Sequence, residues 1–173
     1  HHGTGGEWRI EHPRMRWQVL EAFAEAADQA GIPHVADFNT GDNTGVGYFQ
    51  VNQKEGVRWS SARGFLKPIL KKRPNLKLVT GAFVENVVMH NNRAIGVSWF
   101  REKRNDVEHN VSRGANIILA SGAVQTPKLL EMSGIGQAER IRALGLPVVH
   151  DLPGVGENLQ DHLQLRPIYK VRG

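Results

Sequence analysis

ANIILASGAVQTPKLLEMSGIG, residues 115–136, sets a continuous apolar run against a short segment punctuated by glycines at 122, 134 and 136. The run ANIILAS (115–121) lacks the alternation of a half-exposed strand, so it predicts a strand buried on both faces of a sheet. Thr126 and Pro127 suit the N-cap and first position of a helix, Lys128–Ser133 continue it, and Gly134 stops it. Strand, tight loop and helix together have the layout of a nucleotide-binding α/β unit. Gly122 has two readings: it lets the backbone approach a large ligand at the helix start, or it only permits the turn from sheet to helix. Spacing alone favours the turn, and Gly134 and Gly136 read as helix terminators.

Upstream, LKLVTG (76–81) is rich in strand formers. FVENVVMH (83–90), AIGVSWF (94–100) and VEHNVS (107–112) follow, with turn chemistry at NNR (91–93), and predict a small antiparallel meander. Downstream, residues 137–144 predict a short helix closed by Gly145 and Pro147. The segment PVVHDLPGVGENLQDHLQ (147–164) then passes from a short apolar strand into a second glycine cluster.

The first third is organised differently. HHGTGGEWRIEHP (1–13) is glycine-rich, and His1-His2 fits a tag remnant and native sequence equally well. Pro13 suits a first helical turn. Val19, Leu20, Phe23, Ala24 and Ala27 follow at helical spacing until Gly31 and Pro33, which predicts a helix over 14–30. Residues 37–56 read as a long ordered loop with one short strand near Tyr48–Asn52. Ser60 or Ser61 can cap a short helix in which Pro68 limits regularity. Domain boundaries are expected near 68–75 and near 158.

The 173 residues are 40% hydrophobic and 23% charged, which is ordinary for a folded domain or part of one. No apolar run approaches membrane-spanning length. Cysteine is absent, which excludes disulfides and thiolate metal sites; with no secretory leader visible, a cytoplasmic protein is expected. The net charge of +5 raises an anionic partner, nucleic acid included, but the charge is poorly focused. Its densest stretches, KPILKKRP (67–74) and REKRND (101–106), read as solvated cations at a helix end and a hairpin loop.

Few residues propose chemistry by themselves. Apart from the terminal pair, no two of the eight histidines recur at a metal-ligand spacing, so no metal site is expected. His162 beside Asp161 is the best catalytic candidate by loop context, although such neighbour pairs are more often structural. There is no Gly-x-Ser-x-Gly elbow, no P-loop and no complete Gly-x-Gly-x-x-Gly after a strand. GVGENL (154–159) carries only the first two glycines of that fingerprint.

Taken together and in order, the motifs resemble those of the glucose–methanol–choline (GMC) oxidoreductases, flavoenzymes that oxidise alcohols with FAD. ASGAVQTPKLLEMSGIG (120–136) resembles the family's second signature, with its Gly-x-x-x-Thr-Pro core and Ser-Gly-Ile-Gly end. GTGG (3–6), GVGYFQ through SARGFLKP (45–68), RPNLKLVTGAFVENV (73–87) and LPGVGENLQDH (152–162) occur in the family's order. The resemblance covers nearly the whole chain. It lacks two blocks of the family: the Gly-x-Gly-x-x-Gly unit that holds the FAD diphosphate, and the segment carrying the catalytic His.

The resemblance implies a mixed α/β fold: part of a Rossmann-like FAD domain with a small antiparallel meander, joined to part of a substrate domain. Residues 1–68 would belong to the substrate domain, 69–158 to the FAD domain, and 159–173 to the return into the substrate domain. Val84 would meet the FAD adenine through its backbone, and Ala120, Ser121 and Gly122 would lie beside the adenosine half. The resemblance gives no catalytic role to Asn158, Asp161 or His162. The implied partners are a small alcohol substrate, of the choline or aliphatic kind, and the remaining parts of the same enzyme. The chain alone would be inactive. The reading from another class is a self-sufficient basic module that binds nucleic acid or another anion without flavin.

Overall fold

The computed structural model describes residues 3–104, 106–170 and 172; His1-His2, Asn105 of the charged loop, and residues 171 and 173 of the tail lie outside the described residues. The chain forms two compact units that divide between Leu78 and Val79.

In the first unit, helix α1 spans Gln18–Gln29, four residues shorter at its start than the predicted 14–30 because Trp17 is still extended (φ −110°, ψ 130°). It ends as its glycine predicts. Gly31 takes φ +83°, and the N–H groups of Gly31 and Ile32 donate back to Asp28 and Ala27 carbonyls at 2.9 Å each. The loop after it carries a two-strand hairpin, β1 (Gln53–Lys54) with β2 (Val57–Arg58), turned by Glu55 and Gly56, both at positive φ. The strand expected near Tyr48–Asn52 is therefore displaced to 53–54, and Val51 makes only an isolated bridge to Glu11. A π-helical turn at Ala62–Leu66 runs directly into α2 (Lys67–Leu70). The N-terminal segment lies against this helix: the Trp59 indole donates to the Glu7 carbonyl at 2.8 Å, and Trp8 stacks on Phe65 with centroids 6.0 Å apart.

The second unit is built on the expected meander, β3 (Phe83–His90), β4 (Arg93–Lys103) and β5 (Asp106–Arg113), antiparallel in that order. Asn91 and Asn92, both at positive φ, make the two-residue turn whose twist matches the flanking strands. Helix α3 (Gly122–Met132) packs Leu129 and Ser133 against Val87 of β3, and all three are buried. Beyond it β6 (Ile135–Gly136) pairs in parallel with β7 (His150–Asp151), and α4 (Ala138–Ala143) buries Ile141 completely.

Three sequence expectations are corrected here. ANIILAS (115–121) is not a buried strand: it has no regular structure, and Ile118 is 88% exposed. LKLVTG (76–81) is likewise irregular. A strand needs partners for its backbone groups, and no described strand lies beside either run, so apolar content and propensity have nothing to pair with. Third, Thr126 and Pro127 do not start the helix. Gly122 at φ +88° turns the chain at once, α3 begins there, and Pro127 sits inside it.

Among the described residues the buried apolar side chains are Val87, Leu129, Ala138, Ile141 and Val155, all in the second unit. In the first unit Leu20 and Phe23 of α1 are exposed, and in the second so is most of the tail from Leu159 to Tyr169.

Candidate cofactor site

The second unit contains a cleft of about 570 Å³ between the start of β3 and α3, lined by Ala82–Glu85, Phe100, Ser121, Gln125, Lys128, Leu129 and Met132. Two anchors form it. Just beyond the lining residues, the Ser133 hydroxyl accepts the Val87 N–H at 2.8 Å and donates to the Leu129 carbonyl at 2.5 Å, locking α3 onto β3. On its wall Phe83 and Phe100, cross-strand neighbours, stack with centroids 5.3 Å apart. His109 continues the aromatic row 5.9 Å from Phe100, and its Nδ1 lies 3.6 Å from Glu85.

Val84 and Ser121, far apart in sequence, both line this cleft. Ala120 and Gly122 flank Ser121 but are not among the lining residues. At Gly122 an added Cβ would meet nothing within 4 Å, so only its φ of +88° demands glycine; the space beside its backbone is open. Gly134 differs, because a Cβ there would come within 2.4 Å of the Pro147 carbonyl oxygen. Glycine at 134 therefore serves packing against the chain leading into β7, as well as helix termination at φ +79°.

The residues present fit one end of a dinucleotide. The stacked rings and Leu129 offer apolar area for a base, while Ser121, Gln125 and Lys128 offer polar groups and one cation beside the helix start. Sequence reading missed Phe83, Phe100, Gln125 and Lys128. The predicted turn at 91–93 would set Val84 opposite Phe100; the Phe83–Phe100 pair comes from the shorter Asn91–Asn92 turn and two compensating register shifts along β3, and Gln125 and Lys128 depended on where α3 begins.

Behind α3 the glycine loop is fastened by charge. Arg140 donates to Glu131 at 3.0 Å and to Glu157 with its other nitrogen, and the paired carboxylates hold its guanidinium further above its ordinary value, Glu157 contributing most. Asp151 accepts the Ala138 N–H at 3.1 Å and so caps α4. Asp161 accepts the backbone N–H of His162 at 2.8 Å. Its recorded bond thus goes to the main chain rather than the imidazole, and both residues are exposed.

The first unit has its own, larger cleft of about 750 Å³, lined by Gly3–Gly6, Trp8–His12 and Gln50. The Gln50 Oε1 atom is buried there without a hydrogen-bond partner. Among the described residues no three His, Asp or Glu side chains are grouped to hold a metal.

Comparison with known proteins gives this mixed α/β chain, with its meander and glycine-turned helix, its family. The family model described as GMC oxidoreductase matches residues 7–164, and the chain belongs to that family. It is 41% identical to an alcohol dehydrogenase [acceptor] of Pseudomonas putida, over 95% of this chain and 30% of that protein. It is 39% identical to human mitochondrial choline dehydrogenase, over 94% of this chain and 27% of the relative. Among solved structures, pyridoxine 4-oxidase from Mesorbium loti superposes with a TM-score of 0.78 at 29% identity, covering 88% of this chain and 29% of that one. An FAD-dependent oxidoreductase from Chaetomium thermophilum gives a TM-score of 0.77 at 31% identity, covering 88% and 26%. The chain thus spans less than a third of the length of these relatives. None of them supports a stand-alone nucleic-acid-binding module.

Proposed function

We propose that this chain is the central part of an FAD-dependent oxidoreductase acting on the CH–OH group of an alcohol, of the choline or aliphatic-alcohol kind. The observation that carries it is the family match over residues 7–164, which includes both segments of the cleft. In this proposal Val84, Ala120, Ser121 and Gly122 face the adenosine half of FAD, with Phe83 and Phe100 walling the base. Bound FAD supplies the hydride acceptor for oxidation of the alcohol carbon. The contribution of this chain is to bind and orient the adenosine end; no residue of it takes the catalytic base's role. Residues 1–68 serve the substrate domain, 69–158 the FAD domain and 159–173 the return, and the large exposed apolar surface is covered by the rest of the same enzyme. A cysteine-free sequence supports a reducing compartment such as the cytoplasm. No described helix is long and apolar enough to cross a membrane.

The test uses the isolated chain and the full enzyme together. Hydrogen exchange of the chain with AMP is expected to slow at residues 82–85 and 121–128, while FAD itself binds weakly for want of a diphosphate loop. The full-length enzyme is expected to carry flavin and to oxidise choline or an aliphatic alcohol with an artificial electron acceptor. Unchanged exchange with AMP overturns the placement of the adenosine site; a full-length protein without flavin overturns the function.

A further inference from the structure

Arg140 stands where three parts of the second unit converge: α4, which carries it, α3, which supplies Glu131, and the glycine loop 154–158, which supplies Glu157. All three belong to one unit, so the network is complete whatever covers the surrounding surface. The loop backbone comes up against it. A Cβ at Gly156, where φ is +80°, would lie 3.3 Å from both the Arg140 guanidinium and the Glu131 carboxylate. One guanidinium thus spans two carboxylates with two different nitrogens, which a planar fork can do and the single ammonium of a lysine cannot. Without it, two like charges would face each other across the seam between α3 and the loop.

The seam lies behind the start of α3. Ser121 at the N-cap makes no side-chain capping bond, so the first turn depends on its packing to stay helical. The front of the helix lines the cofactor cleft through Ser121, Gln125 and Lys128. Its back, through Ala123, Val124 and Pro127, lines a second cleft of about 260 Å³ together with Arg140, Glu157 and Leu159, the last on the chain leaving the glycine loop. Lys128 lines both clefts.

We propose that Arg140 is a positioning residue for the cofactor site: by holding Glu157 to Glu131 it seats the glycine loop behind α3, and the seated loop keeps the helix start ordered for the adenosine end of the cofactor. The cofactor half of this rests on the flavin reading; the ordering of the helix start does not.

The test is hydrogen exchange and flavin titration of the full-length enzyme and its variants. Arg140→Gln is expected to quicken exchange at 154–158 and at 122–125 by about tenfold, since an exposed ion pair is worth up to about fivefold in an equilibrium and two are lost. Its flavin affinity should fall by about fivefold, the lower end of an ordinary coupling between sites. Arg142→Gln makes the same charge change on the same helix, at a cation with no ion pair among the described residues, and should match the parent in both measurements. Glu157→Gln should act in opposite directions in two backgrounds. In the parent it breaks a pair and quickens exchange; in Arg140→Gln it removes a repulsion and slows exchange. A packing role alone would move both the same way, and that result overturns the proposal. So does an Arg142→Gln effect equal to that of Arg140→Gln, or an Arg140→Gln enzyme whose exchange at 122–125 or flavin affinity equals the parent's. A parent enzyme without flavin overturns the flavin reading instead, and exchange at 122–125 then decides the positioning role by itself.

Discussion

The Ser133 hydroxyl and the Val87 backbone N–H meet at 2.8 Å, both in the buried part of the second unit. Through this bond the helix that carries Ser121 is fixed against the strand that carries Val84. Replacing Ser133 with Ala leaves the Val87 N–H unpaired away from water, at a cost of about 1–3 kcal/mol. Urea unfolding of the chain followed by circular dichroism measures this. If the variant is as stable as the parent, the bond does not hold the cleft together.

Two glycines of the same signature should respond differently to alanine. Gly122→Ala meets only the left-handed conformation, with open space around it, and should cost about 1–2 kcal/mol. Gly134→Ala meets that strain and the Pro147 carbonyl within 2.4 Å, so it should cost clearly more and disrupt the β6–β7 pair. Unfolding curves of the two variants side by side decide it, and equal losses would contradict the packing role of Gly134.

Glu108 gives the meander a pH dependence. The Lys103 ammonium, whose Nζ lies 2.8 Å from the carboxylate, holds it below the usual glutamate range, first by its hydrogen bond and then by its charge. A carboxylate whose folded pKa is depressed contributes stability that is fully present above its unfolded value, about 4.3, and is lost as pH falls through the folded value. Thermal melts from neutral pH into acid should show Glu108→Gln removing part of the decline. A decline of the same steepness in the variant would place the acid sensitivity elsewhere.

The Asn91–Asn92 turn should be sensitive to side-chain shape. Both residues lie in the left-handed region, which Asn tolerates and β-branched residues do not. Asn92→Val is expected to destabilise the hairpin by about 1–2 kcal/mol, while Asn92→Gly is neutral or slightly stabilising. The two melting temperatures should therefore move apart, with Val the lower; the reverse order would contradict the turn geometry.

The sequence by itself determined whatever depends on near neighbours along the chain. The helix after Pro13 is legible from its apolar spacing and Gly31, the three meander strands from alternation and the Asn-Asn turn, and α4 from the glycine that closes it. The ordered motifs also identified the family, because a signature is a linear pattern. The tertiary structure decided what depends on partners. ANIILAS has the composition of a buried strand, yet strand formation requires hydrogen-bonding neighbours, and Ile118 stands exposed without them. Helix α3 starts at Gly122 because its backbone turn comes before the Thr126-Pro127 signal can act. That earlier start supplies Gln125 to the cleft, and the Ser133–Val87 bond brings Ser121 to face Val84. No spacing along the chain encodes that meeting, since it is made by packing one element across another.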